Sequence, residues 1–390
     1  MKYIKRRGFI ILCMVLSLSS SVYGAEIKAP DVKALGAILM DLKTGRVLWE
    51  KNAYEPLSNA STTKIITCIL AIESGTMDDT VVVSSNAAGQ PKVKMGLSTD
   101  EEVKMKDLLY ALMMRSSNDA AVAIAEHISG SEEAFCELMT RKAIELGAKD
   151  TIFETPNGLD KGEHHSTAYD MAIITCYVLN NEEFVGIINE SEISFSSNLR
   201  TYSMTNTNRL LNEYSGAIGV KTGFTNKAGH CFVGAAERDG MTLVTVVLGS
   251  GWGNVGKQRK WTDTKNLLDY GFNHYKYYDI CVKGDYITTL PVDNSYRGSI
   301  VVNIGESIIL PLNEKECVNI LVELKLPDSV AAPVEIGHEI GLLIFKLEDG
   351  SILEHSPLVA ENAVIEKNLL TSMRMLIKYW INPFKSVILS

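Results

Sequence analysis

Asn59-Ala60-Ser61-Thr62-Thr63-Lys64-Ile65-Ile66-Thr67 is the stretch of the 390-residue chain from which the rest can be placed. Ile65, Ile66, Ile69, Leu70 and Ile72 recur at helical spacing until Gly75 stops the run, so Ser61 and Lys64 stand at the opening of a helix. Side chains three residues apart at a helix start share a face, which brings the Lys64 amine within reach of the Ser61 hydroxyl. A serine hydroxyl attacks well only when a neighbour takes its proton, and a lysine can do this when burial or nearby positive charge lowers its pKa. A serine followed by a lysine three residues on occurs by chance in most chains, so this pair needs partners elsewhere.

Two such partners lie downstream. Leu108, Leu109, Leu112 and Met113 mark one helix and Ala120 to Ile128 another, and between them Ser116-Ser117-Asn118 puts small polar side chains on a tight loop. Lys221-Thr222-Gly223 falls inside the strand pattern Ala217 to Thr225. There Gly223 would let a peptide approach the strand edge, while Lys221 and Thr222 offer a cation and a hydroxyl to its terminal carboxylate. Serine-lysine, serine-x-asparagine and lysine-threonine-glycine follow in that order, 55 residues from Ser61 to Ser116 and 105 more to Lys221. Closely related motif sets mark β-lactamases and penicillin-binding proteins.

Asn59 to Thr67, Met114-Arg115-Ser116-Ser117-Asn118-Asp119-Ala120, Pro156-Asn157-Gly158-Leu159 with His165-Ser166-Thr167-Ala168, and Gly219 to Thr225 together resemble the low-molecular-mass D-alanyl-D-alanine carboxypeptidases, from about residue 30 to the C-terminus. The resemblance implies an acyl-enzyme on Ser61, with Lys64 as base, Ser116 as proton relay and Asn118 positioning substrate. It also implies an oxyanion held by the backbone N–H groups of Ser61 and Phe224, a role indifferent to the phenylalanine side chain. Peptidoglycan stem peptides are the implied substrate, and β-lactam antibiotics the implied covalent inhibitors.

The expected fold class is α/β (α+β), a serine β-lactamase/penicillin-binding transpeptidase-like fold with helices on an antiparallel sheet. A hairpin over residues 35 to 50 turns at Lys43-Thr44-Gly45, and a late meander runs through Ala217 to Thr225, His230 to Ala236 and Met241 to Leu248. One sheet would thus be assembled from both ends of the domain. Thr167 and Asp170 resemble a capping box, and a helix through Leu267 and Leu268 ends near Gly271. From about Tyr277 to Val364 short β-rich runs, among them Ser299 to Val302 and Val318 to Leu324, suggest a small all-β domain.

At the N-terminus Lys2, Lys5, Arg6 and Arg7 precede the apolar run Phe9 to Leu18, with Val22 and Gly24 placed for cleavage before Ala25, the pattern of a secretory signal. The last segment sets Leu369, Leu370, Met373, Leu376, Ile377, Trp380 and Ile381 on one helical face and Lys367, Arg374 and Lys378 on the other, with no acidic residue after Glu366. A basic amphipathic helix of this kind lies in an anionic membrane interface. The expected organisation is a signal peptide over 1–24, a catalytic domain over 25–275, a β-rich domain over 276–365 and a membrane-associating helix over 366–390. The protein is thus expected to be exported and held at the outer face of the cytoplasmic membrane.

A net charge of -9 argues against nucleic acid as partner. The six cysteines beyond the signal, Cys68, Cys136, Cys176, Cys231, Cys281 and Cys317, are far apart and form no CxxC, so they read as small buried hydrophobes. Lys43-Thr44-Gly45 repeats the later triplet but belongs to a turn. Gly251-Trp252-Gly253-Asn254-Val255-Gly256 fits the dinucleotide pattern but follows an antiparallel meander, so it reads as a surface turn. His164 and His165 lack metal-site spacing and read as ordinary loop polarity; no metal or cofactor is expected. Two alternatives remain: a class A-like β-lactamase, with Glu154 in the region of its deacylating glutamate, and a non-catalytic, membrane-tethered wall-binding protein.

Overall fold

The computed structural model describes residues 28–374, 376 and 377, which form two compact units, Lys28–His274 and a second from Tyr275 onward. The expected signal segment and the tail from residue 378 lie outside the described residues.

In the first unit five strands form an antiparallel sheet: β1 (Gly36–Asp41), β2 (Val47–Lys51), β7 (Ala217–Thr225), β8 (Gly229–Arg238) and β9 (Met241–Leu248), in the order β2-β1-β9-β8-β7. The first hairpin and the late meander therefore meet along β1 and β9, where Ala37 pairs with Val247 and Leu39 with Thr245. Alternating side chains serve opposite faces. Gly271, on the helix Gly253–His274, packs against Leu39 and Leu243, and Trp261 of that helix stacks on Phe232 at 4.6 Å. Ile38, Met40, Val244 and Val246 join a large apolar core with Lys64–Glu73 (α1), Met105–Met114 (α2), Asn118–Ser129 (α3), Glu132–Glu145 (α4) and Ala168–Val178 (α5). The helix Gly253–His274 is α6 below.

Lys43-Thr44-Gly45 is the β1–β2 turn, with Gly45 at φ +68° and the Thr44 hydroxyl donating to Asp41. Several local readings change. Ser61 lies in a 3-10 turn, Ala60–Thr63, and the α-helix begins at Lys64 itself. Residues 253–256 of the glycine-rich stretch already belong to α6, because the bare Cα atoms of Gly251 and Gly256 let loop and helix touch: a Cβ on Gly256 would lie 2.2 Å from Gly251. Thr167 caps α5 by accepting from the Asp170 amide, but the Asp170 carboxylate accepts from the Asp150 amide and the Thr151 hydroxyl, making a tertiary tie. Two small antiparallel pairs interrupt the helical region, β3 (Thr80–Val82) with β4 (Glu102–Lys104) and the hairpin of β5 (Glu192–Ser196) with β6 (Thr201–Thr205).

The second unit is mainly β. Its largest sheet runs β14-β16-β17-β12-β11-β15, made of β11 (Tyr286–Asp293), β12 (Ser299–Ile304), β14 (Leu321–Lys325), β15 (Val330–Ala331), β16 (Glu339–Lys346) and β17 (Ile352–Ala360). A second pair joins β10 (Lys276–Cys281) to β13 (Ile308–Leu312). Val302, Leu310, Leu312, Phe345 and Leu358 are central to its core. Val318 falls in a short helix, Glu314–Asn319, opened by an Asn313/Glu316 capping box, so the strand expected from Val318 begins at Leu321. Residues 369–374, 376 and 377 are helical, and Leu369, Leu370, Met373, Leu376 and Ile377 are all exposed. Among the described residues none of the six cysteines forms a disulfide, and four of them are buried.

Candidate active site

The first turn of α1 carries Lys64 into a fully buried position, and its amine has three neighbours: Ser61 Oγ at 2.9 Å, Asn118 Oδ1 at 2.8 Å and the Asn157 carbonyl at 2.7 Å. The two carbonyl oxygens can only accept. Both therefore take protons from the amine, whose third partner is Ser61 Oγ; the Ser61 hydroxyl itself donates to the Asn157 carbonyl at 3.3 Å. Burial, and then the Lys221 charge, push the Lys64 pKa well below that of a free lysine, with Asp119 opposing, which favours the neutral amine relative to an exposed one. Ser61 is thus hydrogen-bonded to a buried amine of lowered basicity.

Asn118 is fixed from behind. Its Nδ2 donates to the Pro91 carbonyl at 3.1 Å, which turns Oδ1 toward Lys64, and its backbone N–H donates to Val93. The buried Asp119 carboxylate accepts from the amides of Met95, Gly96 and Leu97, fastening the same loop. Ser116 opens this loop at φ +63°, half-buried beside Ser117 and Asn118.

Strand β7 is the open edge of the sheet and carries the third motif. A Cβ on Gly223 would lie 3.0 Å from the Ser61 amide and 3.1 Å from the Asn59 carbonyl, so the glycine also serves the close passage of β7 over the turn that carries Ser61. Lys221 is buried and donates to the Thr222 carbonyl at 3.2 Å, while Thr222 is half-buried and Phe224 exposed, its ring 4.4 Å from that of His230. Burial and the charge of Lys260 lower the Lys221 pKa to about 7, and burial brings Lys260 to about 8. Lys64, Lys221 and Lys260 thus form a file of buried amines, a place that favours an anion.

Three contributors escaped the sequence reading. Lys260 stands 39 residues beyond Lys221, on the inward stripe of α6 with Thr264, Leu267, Leu268 and Gly271; a lysine on that apolar stripe was the available signal. The Asn157 carbonyl, being backbone, left none. Its loop lies on the Ala60–Thr63 turn so closely that a Cβ on Gly158 would meet the Ala60 oxygen at 2.0 Å. His164 is buried, unlike ordinary loop polarity: its Nδ1 accepts from the Glu154 amide, so Nε2 carries the proton and donates to Thr63 at 2.9 Å. Burial lowers its pKa to about 4, keeping it neutral and its loop tied beside Ser61. From this loop a carbonyl, not a carboxylate, reaches Lys64, whereas Glu154 lines a separate groove with Glu133, Glu137 and Arg141.

The family model for D-alanyl-D-alanine carboxypeptidases matches residues 24–251, and that for the C-terminal domain of penicillin-binding protein 5 matches residues 275–366. The carboxypeptidase DacF of Bacillus subtilis is 33% identical over 380 residues, 96% of each chain, and DacC of Escherichia coli is 31% identical over 360 residues, 88% of each. Penicillin-binding protein 5 of Haemophilus influenzae superposes with a TM-score of 0.74 at 29% identity, over 88% of this chain and 100% of that one. The carboxypeptidase DacD of Francisella tularensis does so with 0.71 at 25% identity, over 90% and 100%. The α+β fold expected from the motif order is the fold of these relatives, and the β-lactamase and non-catalytic alternatives are not favoured. With a serine, a buried lysine and a strand edge lined by further buried amines on that scaffold, the chain belongs to the D-alanyl-D-alanine carboxypeptidases, serine hydrolases of the penicillin-binding protein family that act on the cell wall.

Proposed function

We propose that Ser61 is the nucleophile that removes the terminal D-alanine from peptidoglycan pentapeptides. The observation that carries this is the Lys64 amine, with two obligate acceptors and the Ser61 hydroxyl as its three partners. Ser61 Oγ attacks the penultimate D-alanine carbonyl as its proton passes to Lys64, and the oxyanion rests on the amides of Ser61 and Phe224. The C–N bond then breaks, the leaving D-alanine nitrogen takes the proton through Ser116, and water hydrolyses the acyl-enzyme. Asn118 orients the peptide. Lys221 and Thr222, backed by Lys260, hold the terminal carboxylate, and Gly223 keeps their strand against Ser61. A β-lactam acylates the same oxygen. Mass spectrometry of the penicillin-treated protein should find one adduct, on the peptide containing Ser61; an adduct elsewhere overturns the assignment.

Residues 25–275 supply the catalysis, residues 276–365 form a β-rich spacer, and residues 1–24 direct export, so the enzyme works outside the cytoplasm. Residues 366–390 hold it on the outer face of the cytoplasmic membrane. The exposure of Leu369 at 81% and of Leu370 and Leu376 at 62% supports this, because a helix docked through its apolar face would cover them. Truncation after Glu366 should release the protein from anionic vesicles while sparing hydrolysis of a soluble D-Ala-D-Ala peptide. Vesicle binding by the truncated form would place the contact elsewhere.

A further inference from the structure

Beside the loop that carries Ser116 and Asn118 lies a separate polar cleft of about 730 Å³, lined by Lys94, Arg115, Glu192, Ser194, Ser203 and Thr205 among others. Arg115 immediately precedes Ser116, and Lys94 follows Val93, whose carbonyl accepts from the Asn118 amide at 2.8 Å. The cleft therefore shares a wall with the catalytic loop.

Both walls are built rather than incidental. On one side the buried Asp119 carboxylate takes the amides of Met95, Gly96 and Leu97, so the segment presenting Lys94 is held by the same helix terminus that presents Asn118. On the other side the β5–β6 hairpin is anchored by the buried Glu101, which accepts from Ser197 Oγ at 2.6 Å and Tyr202 OH at 2.7 Å. Ser194 and Ser203, cross-strand partners, bond to each other at 2.7 Å and line the cleft with hydroxyls.

The charges are arranged by side. Arg115 is exposed, and Lys94 commits one proton to the Ala88 carbonyl at 2.9 Å, so the wall adjoining the catalytic loop is cationic. Glu192 is exposed on the facing hairpin, opposite Thr205. A ligand for this cleft carries a carboxylate toward one wall and an amine toward the other. If the D-Ala-D-Ala end of a stem peptide lies between β7 and Ser61, its upstream residues have Asn118 and then this cleft as their next neighbours. Those residues include a γ-linked glutamate with a free α-carboxylate and a diamino acid whose side-chain amine is free until it is cross-linked.

We propose that this cleft is the subsite for the charged upstream half of the stem peptide, Arg115 and Lys94 taking the free α-carboxylate of the γ-glutamyl residue and Glu192 the side-chain amine of the diamino acid. The inference rests on Ser61 being acylated by that peptide. It makes the enzyme selective for stems that have not been cross-linked through the diamino acid, since acylating the amine removes the charge that Glu192 reads.

The test compares kcat/KM of the full-length enzyme on L-Ala-γ-D-Glu-L-Lys-D-Ala-D-Ala and on the same peptide with the glutamate carboxylate amidated and the lysine amine acetylated. Wild type should favour the charged peptide. Arg115→Ala should lower kcat/KM on it by about tenfold, the scale of one charge-assisted hydrogen bond at a partly exposed site, and Glu192→Gln by a smaller factor. Both effects should be confined to the charged peptide and shrink as salt is raised. Equal rates of wild type on the two peptides overturn the subsite. So does an equal loss on both in Arg115→Ala, which would make Arg115 a support for the Ser116 loop. Failure of wild type to release D-alanine from either peptide overturns the reading of Ser61 itself, and the subsite with it.

Discussion

Ser61→Ala is expected to abolish both labelling by a fluorescent penicillin and D-alanine release from a pentapeptide, a loss of about 10⁶ in kcat, the scale for removing an acyl-transfer nucleophile. The neighbouring hydroxyls cannot take over. Thr62 donates its proton to the Asn59 carbonyl at 2.7 Å, and Thr63 is engaged by His164 and by Asn59 Nδ2 at 3.0 Å; both threonines are buried. The alanine methyl leaves the 3-10 turn intact, so the variant should keep the thermal stability of the parent. Full labelling of the alanine protein would sink the assignment.

Lys64→Ala should slow acylation by about 10² to 10⁴, the range of a general base. Lys64→Arg should do no better, because a guanidinium stays protonated and has no lone pair to offer. With Lys64 as the proposed base, acylation is expected to fall on the acid side as it takes up a proton, and its depressed pKa places that fall well below the range of a free lysine. With the substrate carboxylate on the proposed cations, a fall is also expected on the alkaline side, where Lys221 at about 7 and Lys260 at about 8 surrender their charges as pH rises. A bell-shaped profile follows, its limbs belonging to the coupled amines together. An unchanged acylation rate in Lys64→Ala would mean that another group takes the proton.

What could be read from the sequence divides along physical lines. β7 and β9 begin and end at the residues that the strand pattern marked, Ala217 to Thr225 and Met241 to Leu248, because turn residues bound both runs; β9 is an almost wholly buried apolar run, whereas β7, at the sheet edge, is only partly buried. Ser61 and Lys64 could be paired because three residues at a helix start fix a distance. The Asn157 carbonyl could not, since any residue would supply it. Asp119 was visible as a letter in a motif, but its work is done through three amides of a loop more than twenty residues earlier, which no local period encodes. Gly223 was noticed for one neighbour only: the sequence shows a missing side chain, and packing adds that the Ser61 turn passes close to it. The β5–β6 hairpin alternates Ile193 and Phe195 with serines, a legible signal that the surrounding helices masked.

The file of buried amines also makes the empty enzyme's resistance to unfolding depend on alkalinity. In the unfolded chain Lys221 and Lys260 protonate near the ordinary lysine value of 10.5, whereas in the folded protein they wait until about 7 and about 8. As pH falls from above 10 toward 7 the unfolded state binds protons that the native state refuses, so these two groups withdraw stability across that window and have withdrawn all of it once both are charged in either state. Near neutrality these amines are thus a destabilising part of the fold, and a carboxylate held by them, as proposed for the substrate, is expected to offset that cost by giving the retained charges a partner. Substrate analogues should accordingly raise the melting temperature most near neutral pH.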